Sequence, residues 1–208
     1  MRLWINLYLT RLCFFVINTP VSYTHLDVYK RQVLVPVFVV ILLWEGCPHR
    51  YLISGLVFAV AALTDLFDGK IARERNLVTD FGKFMDPIAD KLLVCSAYVA
   101  FVQLGYCSAW VVILILAREF AVTSMRMVAA SNGTVVAANI WGKAKTVSQM
   151  IAVGVVLLIQ ELLLLGWMPG WFPVSLVQSG VIWISVVLTF ISGVVYLLDN
   201  KKFIDPSK

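Results

Sequence analysis

Residues 51–104 read YLISGLVFAVAALTDLFDGKIARERNLVTDFGKFMDPIADKLLVCSAYVAFVQL. Two apolar runs, Tyr51–Phe67 and Phe84–Leu104, are joined by a short charged stretch. Four carboxylates, Asp65, Asp68, Asp86 and Asp90, lie in those runs or at their edges. A charge at mid-membrane costs roughly 2.5–3.5 kcal/mol on insertion scales, so each acid needs a reason. The plain one is pairing with a Lys or Arg at the membrane boundary. The spacing argues for more. At about 100° per residue, Asp65, Asp68, Gly69 and Ala72 share one arc of a helix, with Arg73 beside it, and Gly82, Asp86, Ala89 and Asp90 share an arc of the next. Two helices joined by a short turn are antiparallel neighbours, so their acidic stripes face each other at one depth. Small residues on both stripes admit close approach of backbone and ligand.

Like charges so arranged repel unless a cation sits between them. Oxygen-only donors favour hard divalent ions, so Mg²⁺ or Mn²⁺ is the expected cofactor, with Ca²⁺ a poorer catalyst. Two metals about 4 Å apart suit an in-line displacement at phosphorus. Pro87 is tolerated in the first turn of a helix, which predicts that Asp86 stands near a helix start.

Outward from this pair the chain repeats the same theme. Val33–Trp44 is an apolar run, short for a span unless the upstream residues extend it. Ser108–Ala130, Ala144–Met168 and Leu176–Leu198 are three further spans. Gly46-Cys47-Pro48, Ser131-Asn132-Gly133 and Met168-Pro169-Gly170 punctuate the joints. Of the 208 residues, 61% are apolar and 14% charged, with a mean hydropathy of +0.88. Disordered chains and ordinary soluble domains do not have this composition. Six spans of about 20 residues fit the length, and no second large domain does. The reading is all-α: a polytopic membrane protein, a bundle of six transmembrane helices.

The net charge of +5 marks cytoplasmic loops rather than nucleic-acid binding. Lys70, Arg73, Arg75 and Lys83 follow the second span, Lys143 and Lys145 follow the fourth, and Lys201, Lys202 and Lys208 end the chain. The alternate joints carry little charge, so both termini are expected in the cytoplasm, with Trp167, Trp171 and Phe172 at the outer interface. The four cysteines, Cys13, Cys47, Cys95 and Cys107, form no C-x-x-C pair, and neither a disulfide framework nor a zinc site follows.

Residues 20–32, PVSYTHLDVYKRQ, break the apolar pattern. The stretch resembles a translated adaptor scar, so residues 1–32 are set aside from the mechanism. The expected organisation is a membrane domain over 33–200 and a cytoplasmic tail over 201–208.

Asp65-x-x-Asp68-Gly69-x-x-Ala72-Arg73, eight residues, then Gly82-x-x-x-Asp86-x-x-x-Asp90 resembles the full signature of the CDP-alcohol phosphatidyltransferase family. Ala117-Arg118-Glu119-Phe120, Met125-Arg126 and Trp141-Gly142-Lys143-x-Lys145-Thr146 are similar to the branch of that family that uses glycerol 3-phosphate. The similarity covers about residues 33–200. The family's opening Asn-Pro-Asn-x-Leu-Thr segment has only a faint echo in Asn6–Arg11.

The resemblance implies six transmembrane helices around a cytoplasm-facing polar cavity in a bacterial cytoplasmic (inner) membrane, commonly as a homodimer. It implies that CDP-diacylglycerol donates a phosphatidyl group to an alcohol, releasing CMP. On this chain Asp65, Asp68, Asp86 and Asp90 would hold two metals, and Asp90 would be the catalytic base. Asp68, Gly69, Arg73 and Gly82 would line the CMP and diphosphate site, with Thr64 and Thr79 beside them.

Arg118 and Arg126 lie within an apolar span, and buried cations need partners or an anionic ligand. Neighbours on a helix diverge, so Glu119 is not expected to face Arg118. The alternative to ligand binding is a salt bridge to an aspartate or to a neighbouring chain's Glu119. For Lys143 and Lys145 taken alone, it is snorkelling. Taken with a metal site, the four cations point to a phosphate-bearing acceptor, because arginine suits bidentate phosphate recognition. Inositol phosphate would need a similar clamp; serine or phosphatidylglycerol would need less. The similarity around Arg118 and Lys143 tips the choice to glycerol 3-phosphate.

Three rivals remain. An ion-coupled transporter should show broken helices and inverted repeats, which are not seen. A prenyl transferase fits the Gly-x-x-Ala-Arg linkage poorly. A catalytically dead scaffold does not explain the intact acids.

Overall fold

A computed structural model describes the backbone of residues 23–74, 80–131 and 140–199, and the side chains of 33–64, 91–129 and 140–199. Among the described residues the chain is all-α. The helices are α1 (Tyr23–Leu43), α2 (Arg50–Glu74), α3 (Asp80–Gln103), α4 (Ala109–Ser131), α5 (Ile140–Leu164) and α6 (Val174–Asp199). Each expected apolar run is the body of one helix. The short run at Val33 is extended upstream: α1 continues back to Tyr23, through residues whose composition had broken the apolar pattern. Leu, Lys, Arg and Gln there are competent helix formers whatever their polarity. The expectation for Pro87 is corrected. α3 starts at Asp80, so neither Asp86 nor Pro87 is in its first turn.

α5 and α6 are long and apolar enough to cross a membrane. The packing of α4, α5 and α6 has a membrane protein's polarity. Phe120 and Phe190 are 66% and 64% exposed, while Glu119 and Lys145 are 4% and 7% exposed. Gln149, Gln178, Ser185, Thr189 and Ser192 are buried as well. Apolar side chains turned outward and polar ones turned inward are stable where the surroundings are lipid.

The chain divides into two compact units, one of Met1–Val40 and Leu56–Leu93, the other of Ile41–Gly55 and Val94–Lys208. In the first, the rings of Phe38 and Phe58 pack 5.7 Å apart, and both are buried.

In the second, a buried hydrogen-bond chain ties α3, α6 and α5. Tyr98 donates to Ser185 Oγ at 2.8 Å, because Ser185 itself donates to the Ile182 carbonyl. Thr189 donates to the Ser185 carbonyl and accepts from Gln149 Nε2 at 3.0 Å. Each such bond satisfies a polar group that would otherwise be stranded in an apolar medium.

The helix ends of the second unit are specified by local chemistry. Ser108 caps α4, its hydroxyl accepting from the Trp110 N–H. α3 and α5 both end in a Schellman turn. Tyr106 N–H bonds to the Phe101 carbonyl and Gly105 N–H to that of Val102. Trp167 and Gly166 repeat the pattern on Leu162 and Leu163. Gly105 and Gly166 take φ of 76° and 69°, the left-handed conformation that the turn requires and that glycine adopts without strain.

Candidate functional site

α4 carries Arg118 and Glu119, α5 carries Lys145, and α6 carries Ser192 and Gly193; the structure gathers all five. Glu119 Oε1 accepts from Arg118 Nη1 at 3.1 Å and also from Lys145 Nζ. Arg118 Nη2 donates to Ser192 Oγ at 2.7 Å. The side chains of Arg118, Glu119 and Lys145 are only 10%, 4% and 9% exposed. Among the described residues the cluster sets two cations on one carboxylate, all three shielded from bulk water. Among the described residues Arg118 Nε is buried without a hydrogen-bond partner. A buried unsatisfied donor on a charged group is unfavourable, and an anion would satisfy it.

One expectation is corrected here, and one alternative is set aside. Arg118 does pair with the adjacent Glu119. Their Cα–Cβ vectors diverge, but both side chains turn into the packing between α4, α5 and α6, and arginine's long stem closes the gap. Lys145 does not snorkel to solvent. It is buried on Glu119, because a carboxylate already lies at its depth and supplies what water would.

Arg126, on the same helix, donates from Nε to the Tyr196 hydroxyl at 3.3 Å, and its guanidinium lies 5.4 Å from that ring's centroid. Arg126 is otherwise exposed, as is Lys143. Of the four expected phosphate-binding cations, the structure thus brings Arg118 and Lys145 into one buried cluster and leaves Arg126 and Lys143 outside it.

The aspartate set falls on helical backbone. Asp65 and Asp68 lie in α2, and Asp86 and Asp90 in α3. Gly69 and Arg73 lie on the backbone of α2 and Gly82 on that of α3; the side chains of the whole set, and Thr79 altogether, lie outside the described residues. No group of three or more His, Cys, Asp and Glu is gathered among the described residues. Thr64 is described, and its hydroxyl donates to the Val60 carbonyl at 2.8 Å.

A second buried glutamate went unremarked in the sequence. Glu161, on α5, accepts from the Leu52 N–H at 3.1 Å and lies 2.6 Å from His49 Nδ1. It caps α2 from another helix. His49, just ahead of that helix, has a φ of 54°. An ionisable residue late in an apolar span was the available signal. Beside it, Arg50 donates to the Tyr51 hydroxyl, which shares a 2.6 Å hydrogen bond with Tyr106. Burial and that hydrogen bond push the Tyr106 phenol well above its ordinary range, and burial lifts the Cys107 thiol to about 11.

Residues 28–191 match the profile of the CDP-alcohol phosphatidyltransferase family. The chain belongs to this family. A CDP-diacylglycerol–glycerol-3-phosphate 3-phosphatidyltransferase of Bacillus subtilis (strain 168) is 42% identical over 185 residues, covering 82% of this chain and 90% of its own length. A probable phosphatidylglycerophosphate synthase of Mycobacterium tuberculosis (strain CDC 1551 / Oshkosh) is 38% identical over 169 residues, covering 80% and 76%. A relative from Salmonella paratyphi A with the same name as the Bacillus protein is 36% identical over 174 residues, covering 80% and 88%. The resemblance read from the aspartate signature is thereby shown, and the chain is placed among membrane-embedded phosphatidyltransferases.

Proposed function

We propose that this protein transfers a phosphatidyl group from CDP-diacylglycerol to glycerol 3-phosphate, giving phosphatidylglycerophosphate and CMP. The reading rests above all on the similarity to relatives with that name, which extends over about four fifths of the chain. The buried Arg118–Glu119–Lys145 cluster supports a phosphate-bearing acceptor over serine or phosphatidylglycerol.

In this reading the primary hydroxyl of glycerol 3-phosphate attacks the phosphorus that bears the diacylglycerol. The bond to the CMP oxygen breaks, and Asp90 takes the hydroxyl proton. Arg118 and Lys145 hold the acceptor phosphate from the buried cluster, with Arg126 and Lys143, which lie outside it, adding positive charge nearby. Thr64, Asp68, Gly69, Arg73, Thr79 and Gly82 bind the donor's nucleotide and diphosphate. Metal dependence comes with the family. Asp65, Asp68, Asp86 and Asp90 form an oxygen-only donor set, spaced by three residues in α2 and by four in α3, that suits two Mg²⁺ or Mn²⁺ ions. When bound, such ions would draw charge from the diphosphate and offset the charge on departing CMP. The proposed setting is six spans in a bacterial inner membrane, with the polar cavity and both termini on the cytoplasmic side, and a homodimer as the association state.

The test is an acceptor panel on purified protein: glycerol 3-phosphate, serine, inositol phosphate and phosphatidylglycerol, each with Mg²⁺, Mn²⁺ or chelator. CMP should appear only with metal and glycerol 3-phosphate, and Asp90→Asn should abolish it. Release with another acceptor alone would overturn the assignment.

A further inference from the structure

Arg118 is held from three sides, and two of the holding residues belong to α6. Its stem crosses that helix at Gly193. A Cβ there would come within 2.9 Å of Arg118 Cγ, with Nε at 3.8 Å and Cδ at 3.9 Å. The close atom is the root of the stem rather than its free end, so it cannot swing aside without carrying the guanidinium with it. The preceding residue, Ser192, receives the Nη2 hydrogen bond. From the other side Glu119 takes Nη1. Glycine inside a helix is a poor helix former, so a packing reason for it is sought in what surrounds it. Gly180, on the same helix, meets nothing within 4 Å; Gly193 meets arginine.

We infer that Ser192, Gly193 and Glu119 are positioning residues that set where the Arg118 guanidinium sits and so how well the site engages the phosphate of its acceptor. The notch at Gly193 gives the stem its path, Ser192 and Glu119 take one terminal nitrogen each, and the fork is left with its buried Nε as a donor for an incoming anion. The inference rests on the reading of Arg118 as an acceptor-phosphate ligand. It adds that α6, which supplies none of the expected phosphate-binding residues, controls acceptor affinity. A guanidinium displaced by even an ångström loses the alignment on which a charge-assisted hydrogen bond depends.

The test measures CMP release by the full chain in detergent micelles and extracts KM separately for glycerol 3-phosphate and CDP-diacylglycerol. Arg118→Lys should raise the glycerol 3-phosphate KM about tenfold or more, the size expected for one lost hydrogen bond to a charged group. Gly193→Ala should raise it by a comparable factor and leave the donor KM unchanged, and Gly180→Ala should change neither. In an Arg118→Ala background, which removes the crossing stem, Gly193→Ala should have no further effect. Should Gly193→Ala fail to accumulate, Ser192→Ala removes the seat without adding volume and should raise the acceptor KM alone.

An effect of Arg118→Lys without one of Gly193→Ala or Ser192→Ala overturns the positioning role while leaving the basic pocket standing. No acceptor effect of Arg118→Lys overturns the pocket and this inference with it. Equal effects of Gly193→Ala and Gly180→Ala reduce the glycine to helix packing and also overturn it.

Discussion

Glu119 and Glu161 are both buried, both are contacted from α5 or carried on it, and they do opposite things. Glu161 is satisfied by the scaffold: one oxygen accepts a backbone N–H at the start of α2, and the other meets His49. Its partners are fixed and local, and the result is a helix cap contributed across the fold. Glu119 offers a single oxygen to two long cations, one of which still has a buried donor to spare. The two sites are about 24 Å apart along α5, counted from Lys145 to Glu161. A buried charge can thus mark either a finished structural joint or an unfinished electrostatic one. The count of donors and charges around it, rather than its burial, tells which.

The sharpest way to break this contrast is Glu119→Gln. Removing the carboxylate that pairs a buried Arg and Lys should destabilise the protein by about 3–5 kcal/mol, read as a lower unfolding midpoint in detergent. Glycerol 3-phosphate or inorganic phosphate should raise that midpoint more in the variant than in the parent, since an anion would then replace the lost carboxylate. If phosphate protects neither protein, the cluster is not an anion site. Glu161→Gln should lower stability less, by about 1–3 kcal/mol for weakened bonds to one buried acceptor, with no phosphate rescue and unchanged KM for either substrate. A shift in acceptor KM there would blur the distinction between joint and site.

Smaller still, Gly105→Ala and Gly166→Ala should each cost about 1–2 kcal/mol, because alanine resists the left-handed turn. Neither should alter substrate affinity. The last prediction concerns reactivity at Cys107. With its thiol lifted to about 11 by burial, maleimide labelling of that site, followed by peptide mass spectrometry, should be slow at neutral pH. It should then climb about tenfold per pH unit until the thiolate predominates. Labelling that plateaus near pH 9 would mean that Cys107 lies open to water.

The helices were legible because each depends on neighbours in sequence. Apolar runs such as Ala144–Met168 and Leu176–Leu198 became α5 and α6 within a few residues at each end. The family was legible for the same reason, since its signature is a set of spacings within two consecutive helices. Register within a helix was harder. Pro87 suggested a start near Asp86, and the backbone began at Asp80.

By itself the sequence determined that this is an all-α membrane protein, and that Asp65 through Asp90 carry its family signature. It also showed that Arg118 and Lys145 are cations in apolar surroundings, because hydropathy and helical period are properties of a contiguous segment. Only the tertiary structure decided that Glu119 joins Arg118 to Lys145, that Gly193 lies under the arginine stem, and that Glu161 caps α2. Those pairings bring together residues from different helices. Which of them meet depends on helix crossing and side-chain reach, and no spacing along one chain encodes that.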